Sequence, residues 1–80
     1  MAEVVPRRAL VAAVLDDVPI CERCQAARSI DLHEPLMRSQ GGDPLDRAQV
    51  RAICRACHDH IHANPAESYA AGWLVRRTAA

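Results

Sequence analysis

The hydrophobic positions predict one helix early in the chain and two short strands in its middle. Pro6 can occupy the first turn of a helix, and four apolar residues then fall on one helical face. These residues are Leu10, Val11, Val14 and Leu15. The helix should end within residues 17–19, because a proline disfavours helical backbone at the residue before it. Ile30 and Leu32 alternate with polar neighbours in residues 29–33, which predicts a strand, and residues 50–53 predict a second strand or the end of a helix.

The second half of the chain predicts turns that lead into short helices. Residues 38–46 contain two glycines and a proline, which favours a loop. A turn at residues 54–57 should run directly into a helix that ends before Pro65. Pro65 can begin another helix over residues 66–71, broken at Gly72, and residues 73–77 predict a closing strand.

Composition indicates that this chain needs more than a hydrophobic core to fold. It has 80 residues, no Phe, one Tyr and one Trp, and half of its residues are apolar, mostly Ala and Val. So short a chain makes one small domain with a thin core, and a disulfide or a metal is the usual second source of stability. Tyr69 and Trp73 are expected to pack in that core rather than stack on bases. The composition disfavours a conventional pocket enzyme and a multidomain machine, and no apolar run is long enough to span a bilayer.

Whether the four cysteines form disulfides or bind a metal depends on the redox state of the cell compartment. The apolar run at residues 9–15 has only seven positions, ends at Asp16 and Asp17, and precedes no small-residue cleavage site. We therefore predict a soluble, cytoplasmic protein, in which paired cysteines indicate metal ligands rather than disulfides.

Two Cys-x-x-Cys pairs predict a structural zinc site. Each pair sets two thiolates on one tight turn, and two such turns complete a closed tetrahedron around Zn²⁺. The ligands would be Cys21, Cys24, Cys54 and Cys57. The gap between the pairs exceeds that of the simplest zinc ribbons, so a longer element should lie between them. Buried free thiols or a disulfide are the alternatives.

The histidines suggest a second site. His58 and His62 are four residues apart and share one helix face, whereas His60 points elsewhere. Because the zinc site already has four thiolates, these two imidazoles need a third partner, and His33 is the remaining histidine. The alternatives are solvated surface histidines, or a histidine that replaces a cysteine of the zinc site.

The order of these motifs resembles the HNH endonuclease family, in particular the small Cys₄-containing members from bacteriophages and actinobacteria. The resemblance covers residues 20–77 and rests on four stretches of sequence. They are the first Cys-x-x-Cys, Asp-Leu-His-Glu-Pro at 31–35, Arg-Ser-Gln-Gly-Gly-Asp at 38–43, and Cys-x-x-Cys-His-x-x-x-His at 54–62. It implies a small α+β, zinc-stapled domain with a treble-clef-like ββα-metal fold. Residues 1–19 would form an N-terminal helix and lead-in, and residues 78–80 a tail. The resemblance also implies that the cell is a bacterial or phage-infected one.

The resemblance also implies site roles. His33, His58 and His62 would bind a catalytic divalent ion (Mg²⁺, Mn²⁺, Ni²⁺ or Zn²⁺), with Glu34 in the general-base position and Gln49 in place of the family's central Asn. Free glutamate has a pKa of about 4.3 and is a weaker base than histidine near neutral pH. In an alternative alignment His33 is the base and Asp31 a metal ligand. Glu34 and Gln49 could also be ordinary solvated residues.

The implied reaction is metal-dependent hydrolysis or nicking of DNA. Arg38, Arg51 and Arg55 are candidate phosphate contacts, although each could equally be a solvated charge. Arg76 and Arg77 could reach the DNA backbone or form a tail. The formal net charge is zero, which predicts weak DNA affinity without metal or a partner such as a phage packaging protein. The alternative is a catalytically degenerate zinc module that binds nucleic acid or protein.

Overall fold

Two short antiparallel strands form the centre of the computed structural model, which describes residues 6–76. The strands are β1 (Asp31–His33) and β2 (Arg51–Ile53). The helices are α1 (Arg7–Asp17), α2 (Arg55–Ala63) and α3 (Pro65–Ala71), and two 3₁₀ turns, Arg38–Gln40 and Arg47–Gln49, lie between the strands. The small α+β class predicted from the sequence is confirmed. Among the described helices, none has the length and apolar character needed to cross a membrane.

The pairing register separates the core from the candidate site. Leu32 pairs with Ala52, and both pack in a cluster with Val14 of α1. Side chains alternate along a strand, so the flanking pairs point to the other face of the sheet. There Ile53 packs in a second buried cluster with Ile61 of α2. Asp31 and His33 thus face α2 rather than α1.

α1 follows the apolar stripe seen in the sequence. Val14 is 1% exposed, and its predicted companions Leu10, Val11 and Leu15 pack against the cluster around it. The helix ends where the Val18 amide donates to the carbonyl of Val14, one residue before Pro19. The predicted extent of this helix is confirmed.

The connection between the strands folds back tightly at two glycines. Gly41 has φ +94°, a backbone conformation that L side chains rarely adopt. The Gly42 amide donates to the carbonyl of Met37, and a Cβ at Gly42 would overlap the carbonyl oxygen of Leu36. This turn holds residues 36–42 against each other and positions the segment that follows β1.

α2 and α3 begin and end where the sequence predicts. The Cys54 side chain caps α2 by accepting from the Cys57 amide. Asn64 separates the helices, Pro65 begins α3, and Gly72 ends it in the left-handed conformation. Tyr69 and Trp73 pack against the cluster that contains the cysteines, as expected.

Two sequence expectations are wrong. Ile30 is 50% exposed and lies outside β1, because the strand begins at Asp31 and the Ile30 backbone only donates to the carbonyl of Ile53. Residues 73–76 do not form a closing strand. Only Val75 bridges, in parallel, to Leu36, and Arg77 lies outside the described residues.

Candidate metal centres

The four cysteines converge into one cluster. Their Sγ atoms all lie within 4.8 Å of one another, and no described cysteine is in a disulfide. The Sγ atoms of Cys24 and Cys54 are 4.0 Å apart. A zinc tetrahedron with Zn–S bonds of about 2.3 Å has edges of about 3.8 Å. The thiol chemistry and the spacing therefore fit a structural metal such as zinc.

In each Cys-x-x-Cys turn, the backbone amide of the second cysteine points toward the Sγ of the first. The Cys24 amide lies 3.5 Å from the Cys21 Sγ, and the Cys57 amide lies 3.4 Å from the Cys54 Sγ. After the first pair, Gln25 adopts a positive φ of 56°. Backbone amides that approach a cysteine Sγ stabilise the thiolate, and the thiolate is the form that binds metal.

The surroundings of the cysteine cluster shift the pKa values of Cys21 and Cys57 in opposite directions. Burial opposes ionisation of Cys21, but backbone donors from Cys24, Cys54 and Arg23 outweigh it and lower its pKa to about 6. Burial raises the pKa of Cys57 to about 12, although the Arg23 guanidinium, 3.4 Å from its Sγ, acts in the opposite direction. The charge of a bound cation would favour the thiolate of Cys57, whose pKa burial raises.

Three histidines, two on α2 and one at the end of β1, form a second cluster. The nitrogens of His33, His58 and His62 that could bind a metal all lie within 4.8 Å of one another. The ring centroids of His58 and His62 are 5.0 Å apart, and each lies 5.6 Å from that of His33. His60 instead contacts Glu67 at 3.2 Å. The helical spacing of His58 and His62, together with the packing of β1 against α2, brings together the three histidines predicted from the sequence.

His33 is fixed in one tautomer by the fold. Its side chain is 1% exposed, and its Nε2 contacts the carbonyl oxygen of Trp73. A carbonyl only accepts, so Nε2 carries the proton and Nδ1 keeps a lone pair. Burial lowers the pKa of His33, the Trp73 carbonyl raises it, and His58 and His62 lower it further. The net effect favours the neutral imidazole, which is the form that binds metal ions.

An open cleft of about 430 Å³ lies over this cluster. Its lining includes the three histidines and also Leu32, Glu34, Met37, Arg38 and Ser39. Glu34 lies next to His33, with its side chain 20% exposed, and both of its oxygens accept from Arg38 at 3.2 and 3.5 Å. The cleft therefore combines three imidazoles, a carboxylate and a guanidinium.

The remaining predicted site residues lie outside this lining. Gln49 spans the loop between the strands, where its Oε1 accepts from the Asp43 amide at 2.9 Å and its Nε2 donates to Asp46 at 3.0 Å. Arg51 donates to nearby backbone carbonyls. Arg55 forms an ion pair with Asp31 at 3.0 Å.

Two contacts near the candidate sites were not predicted from the sequence, and one of them brings Arg7 of the lead-in to Glu34 in the cleft. Arg7 of α1 pairs with Glu34 at 3.5 Å and donates to the carbonyl of Pro44 at 2.6 Å. Glu22 accepts from the Ala52 amide at 2.6 Å and so joins the first cysteine turn to β2. These are contacts between distant positions, and no local motif signals them.

Arg76 lies 4.1 Å over the Tyr69 ring.

Comparison with known proteins gives no relative for this chain: no family model, no curated protein and no solved structure matches it.

Proposed function

We propose that the protein is a metal-dependent endonuclease or nickase of the HNH type that hydrolyses phosphodiester bonds in DNA. The observation that carries this proposal is the cleft in which His33, His58 and His62 converge beside Glu34 and Arg38. Three imidazoles with an open side suit a catalytic metal, because such sites keep a coordination position for water or substrate. The closed cysteine cluster suits a structural one.

The three imidazoles would hold a divalent ion, and the ion, when bound, supplies positive charge against the phosphate and the leaving oxygen. The neutral tautomer of His33 presents Nδ1 for this purpose. Every other part of the reaction must come from side chains that line the cleft.

Glu34 is the candidate general base. Its carboxylate lies in the cleft that contains the imidazoles, and it can take a proton from an attacking water. Arg38 has a side chain that is 59% exposed and holds Glu34 from the solvent side. The same guanidinium can contact a phosphate oxygen, so Arg38 would orient both the base and the substrate.

Phage packaging proteins and other DNA-binding proteins are the proposed partners. A formal net charge of zero provides little long-range attraction for DNA. Local contacts from the cleft would then need a second protein for tight binding.

A second candidate function is a zinc module that binds nucleic acid or protein without cleaving it. The observation that favours it is the confinement of Glu34, since ion pairs to Arg7 and Arg38 engage its carboxylate. A carboxylate held in this way is less available to a water molecule.

Nicking of a supercoiled plasmid by the purified, zinc-loaded protein separates the two functions. With Mg²⁺, Mn²⁺, Ni²⁺ or Zn²⁺ added, the wild type should nick, and Glu34→Gln should be slower by about 10²–10⁴-fold. Glu67→Gln is the matched control, because that carboxylate is 60% exposed and lies on α3, outside the cleft lining. Equal nicking by the wild type and His33→Ala would reveal contamination and overturn the nuclease proposal.

A further inference from the structure

Asp31 lies beside the three-histidine cluster without belonging to it. Its Oδ2 is 3.4 Å from the Nδ1 of His58, whereas the group of nitrogens within 4.8 Å of one another contains no oxygen of Asp31. A carboxylate of an ionised Asp only accepts, so this contact requires a proton on Nδ1 of His58. In the neutral imidazole that proton leaves Nε2 with the lone pair.

Arg55 determines where the Asp31 carboxylate can be. Its Nε lies 3.0 Å from Oδ2, and its Nη2 lies 3.1 Å from Oδ1, so both oxygens are engaged in a two-point contact. The Asp31 side chain is only 17% exposed. Asp31 starts β1 and Arg55 starts α2, so this ion pair connects the strand that carries His33 to the helix that carries His58.

We infer that Asp31 is a positioning residue, which fixes His58 in the tautomer that leaves its Nε2 free for a divalent ion, and that Arg55 holds Asp31 in place for that task. The inference rests on the proposed function for the identity of the bound group. It assigns Asp31 a role outside the ligand set, and it assigns Arg55 a role inside the protein rather than on the phosphate backbone.

The carboxylate acts on His58 in two ways. It orients the ring, and it stabilises the positive charge that an imidazole gains when its other nitrogen binds a cation. Loss of an outer partner of this type usually weakens metal binding by about 10–100-fold. The carbonyl oxygen of Trp73 likewise fixes the tautomer of His33. Two of the three imidazoles therefore have a fixed tautomer.

Two measurements on the zinc-loaded full chain test the inference. The first is calorimetric titration with Ni²⁺ of the wild type, Asp31→Asn, Arg55→Gln and Asp59→Asn. Asp59 is exposed on α2 next to His58 and is not part of this network, so it controls for the change in charge. The second is the ¹⁵N NMR spectrum of the imidazoles before Ni²⁺ is added, which reports the tautomer of His58 directly.

We expect His58 to be the Nδ1–H tautomer in the wild type and in Asp59→Asn, and to lose that preference in Asp31→Asn. Ni²⁺ affinity should fall about 10–100-fold in Asp31→Asn and by a smaller factor in Arg55→Gln, with one zinc per chain retained in every variant.

Three results would overturn the inference, and each has a distinct meaning. An unchanged tautomer and unchanged affinity in Asp31→Asn would make Asp31 a merely structural residue. A higher affinity in Arg55→Gln would show that Asp31, once released, is itself a ligand. If the wild type binds no Ni²⁺ at all, the histidine site in the proposed function fails as well.

Discussion

The Nε2 of His33 contacts the carbonyl oxygen of Trp73, forty positions later in the sequence. This contact connects the buried end of β1 to the segment that follows α3. It means that the tautomer of a candidate metal ligand depends on how α3 and its C-terminal turn pack. The cleft therefore depends on the segment that follows α3 as well as on the strands and α2.

Replacement of His33 should destabilise the protein even before any second ion is added. In His33→Ala the Trp73 carbonyl loses its donor inside the core, which costs about 1–3 kcal/mol of the free energy of unfolding. Urea denaturation of the zinc-loaded chain measures this loss. His60→Ala is the control, since its ring contacts Glu67 and Asn64 near the surface, and it should change stability by less than about 1 kcal/mol. Equal stability of the two variants would contradict the proposed packing of His33.

Removal of zinc should unfold the chain. Three of the four cysteines are part of a buried core with Ile53, Ile61 and Leu74, so loss of the metal should release both the turns and the packing around them. Circular dichroism during titration with a strong chelator should show loss of helix together with release of one zinc per chain. A spectrum that stays unchanged while zinc leaves would show that the cysteine site is not structural.

The two glycines of the loop should respond differently to alanine. Gly41→Ala has free space around the new Cβ and only the strain of a positive φ, about 1 kcal/mol. Gly42→Ala would push against the carbonyl of Leu36, so the loop must move and the loss of stability should be clearly larger. Thermal denaturation of the zinc-loaded variants measures both losses. Equal losses would mean that the loop does not fold back as described.

The amide group of the Gln49 side chain, and not only its length, should contribute to the stability of the protein. Gln49→Glu replaces the donor to Asp46 with a second carboxylate, while the acceptor for the Asp43 amide remains. We expect a loss of about 1 kcal/mol or more that 1 M NaCl partly reverses, because salt screens like charges. Arg47→Gln, in the same 3₁₀ turn, is the comparison and should have little effect. A loss that is independent of salt would exclude repulsion from Asp46 as the cause.

The sequence was sufficient to predict the features that depend on contacts between residues close together in the chain. The spacing within each Cys-x-x-Cys turn and the four-residue separation of His58 and His62 follow from backbone dimensions alone. The apolar stripe of α1 likewise predicted its buried face. These elements could be identified because neighbouring residues in the chain are also neighbours in space.

The parts that sequence patterns missed depend on distant contacts. Arg7 reaches Glu34 only because α1 packs on β1, and a helix pattern cannot indicate which charge its first turn will meet. Val75 forms one bridge to Leu36 rather than a strand, and its amide donates to the carbonyl of Pro35, a contact between residues forty positions apart. Arg55 fits a phosphate contact by sequence, yet the register of β1 places Asp31 within its reach.

The most direct test of the central claim compares His62→Ala with His60→Ala in plasmid nicking. Both residues lie on α2, two positions apart, but only His62 belongs to the three-histidine cluster, and it is exposed, so its loss should leave the fold intact. The account predicts that His62→Ala loses metal-dependent nicking and that His60→Ala nicks at the rate of the wild type. Equal nicking by both variants, at equal zinc content, would contradict the claim that this cleft is a metal-dependent nuclease site.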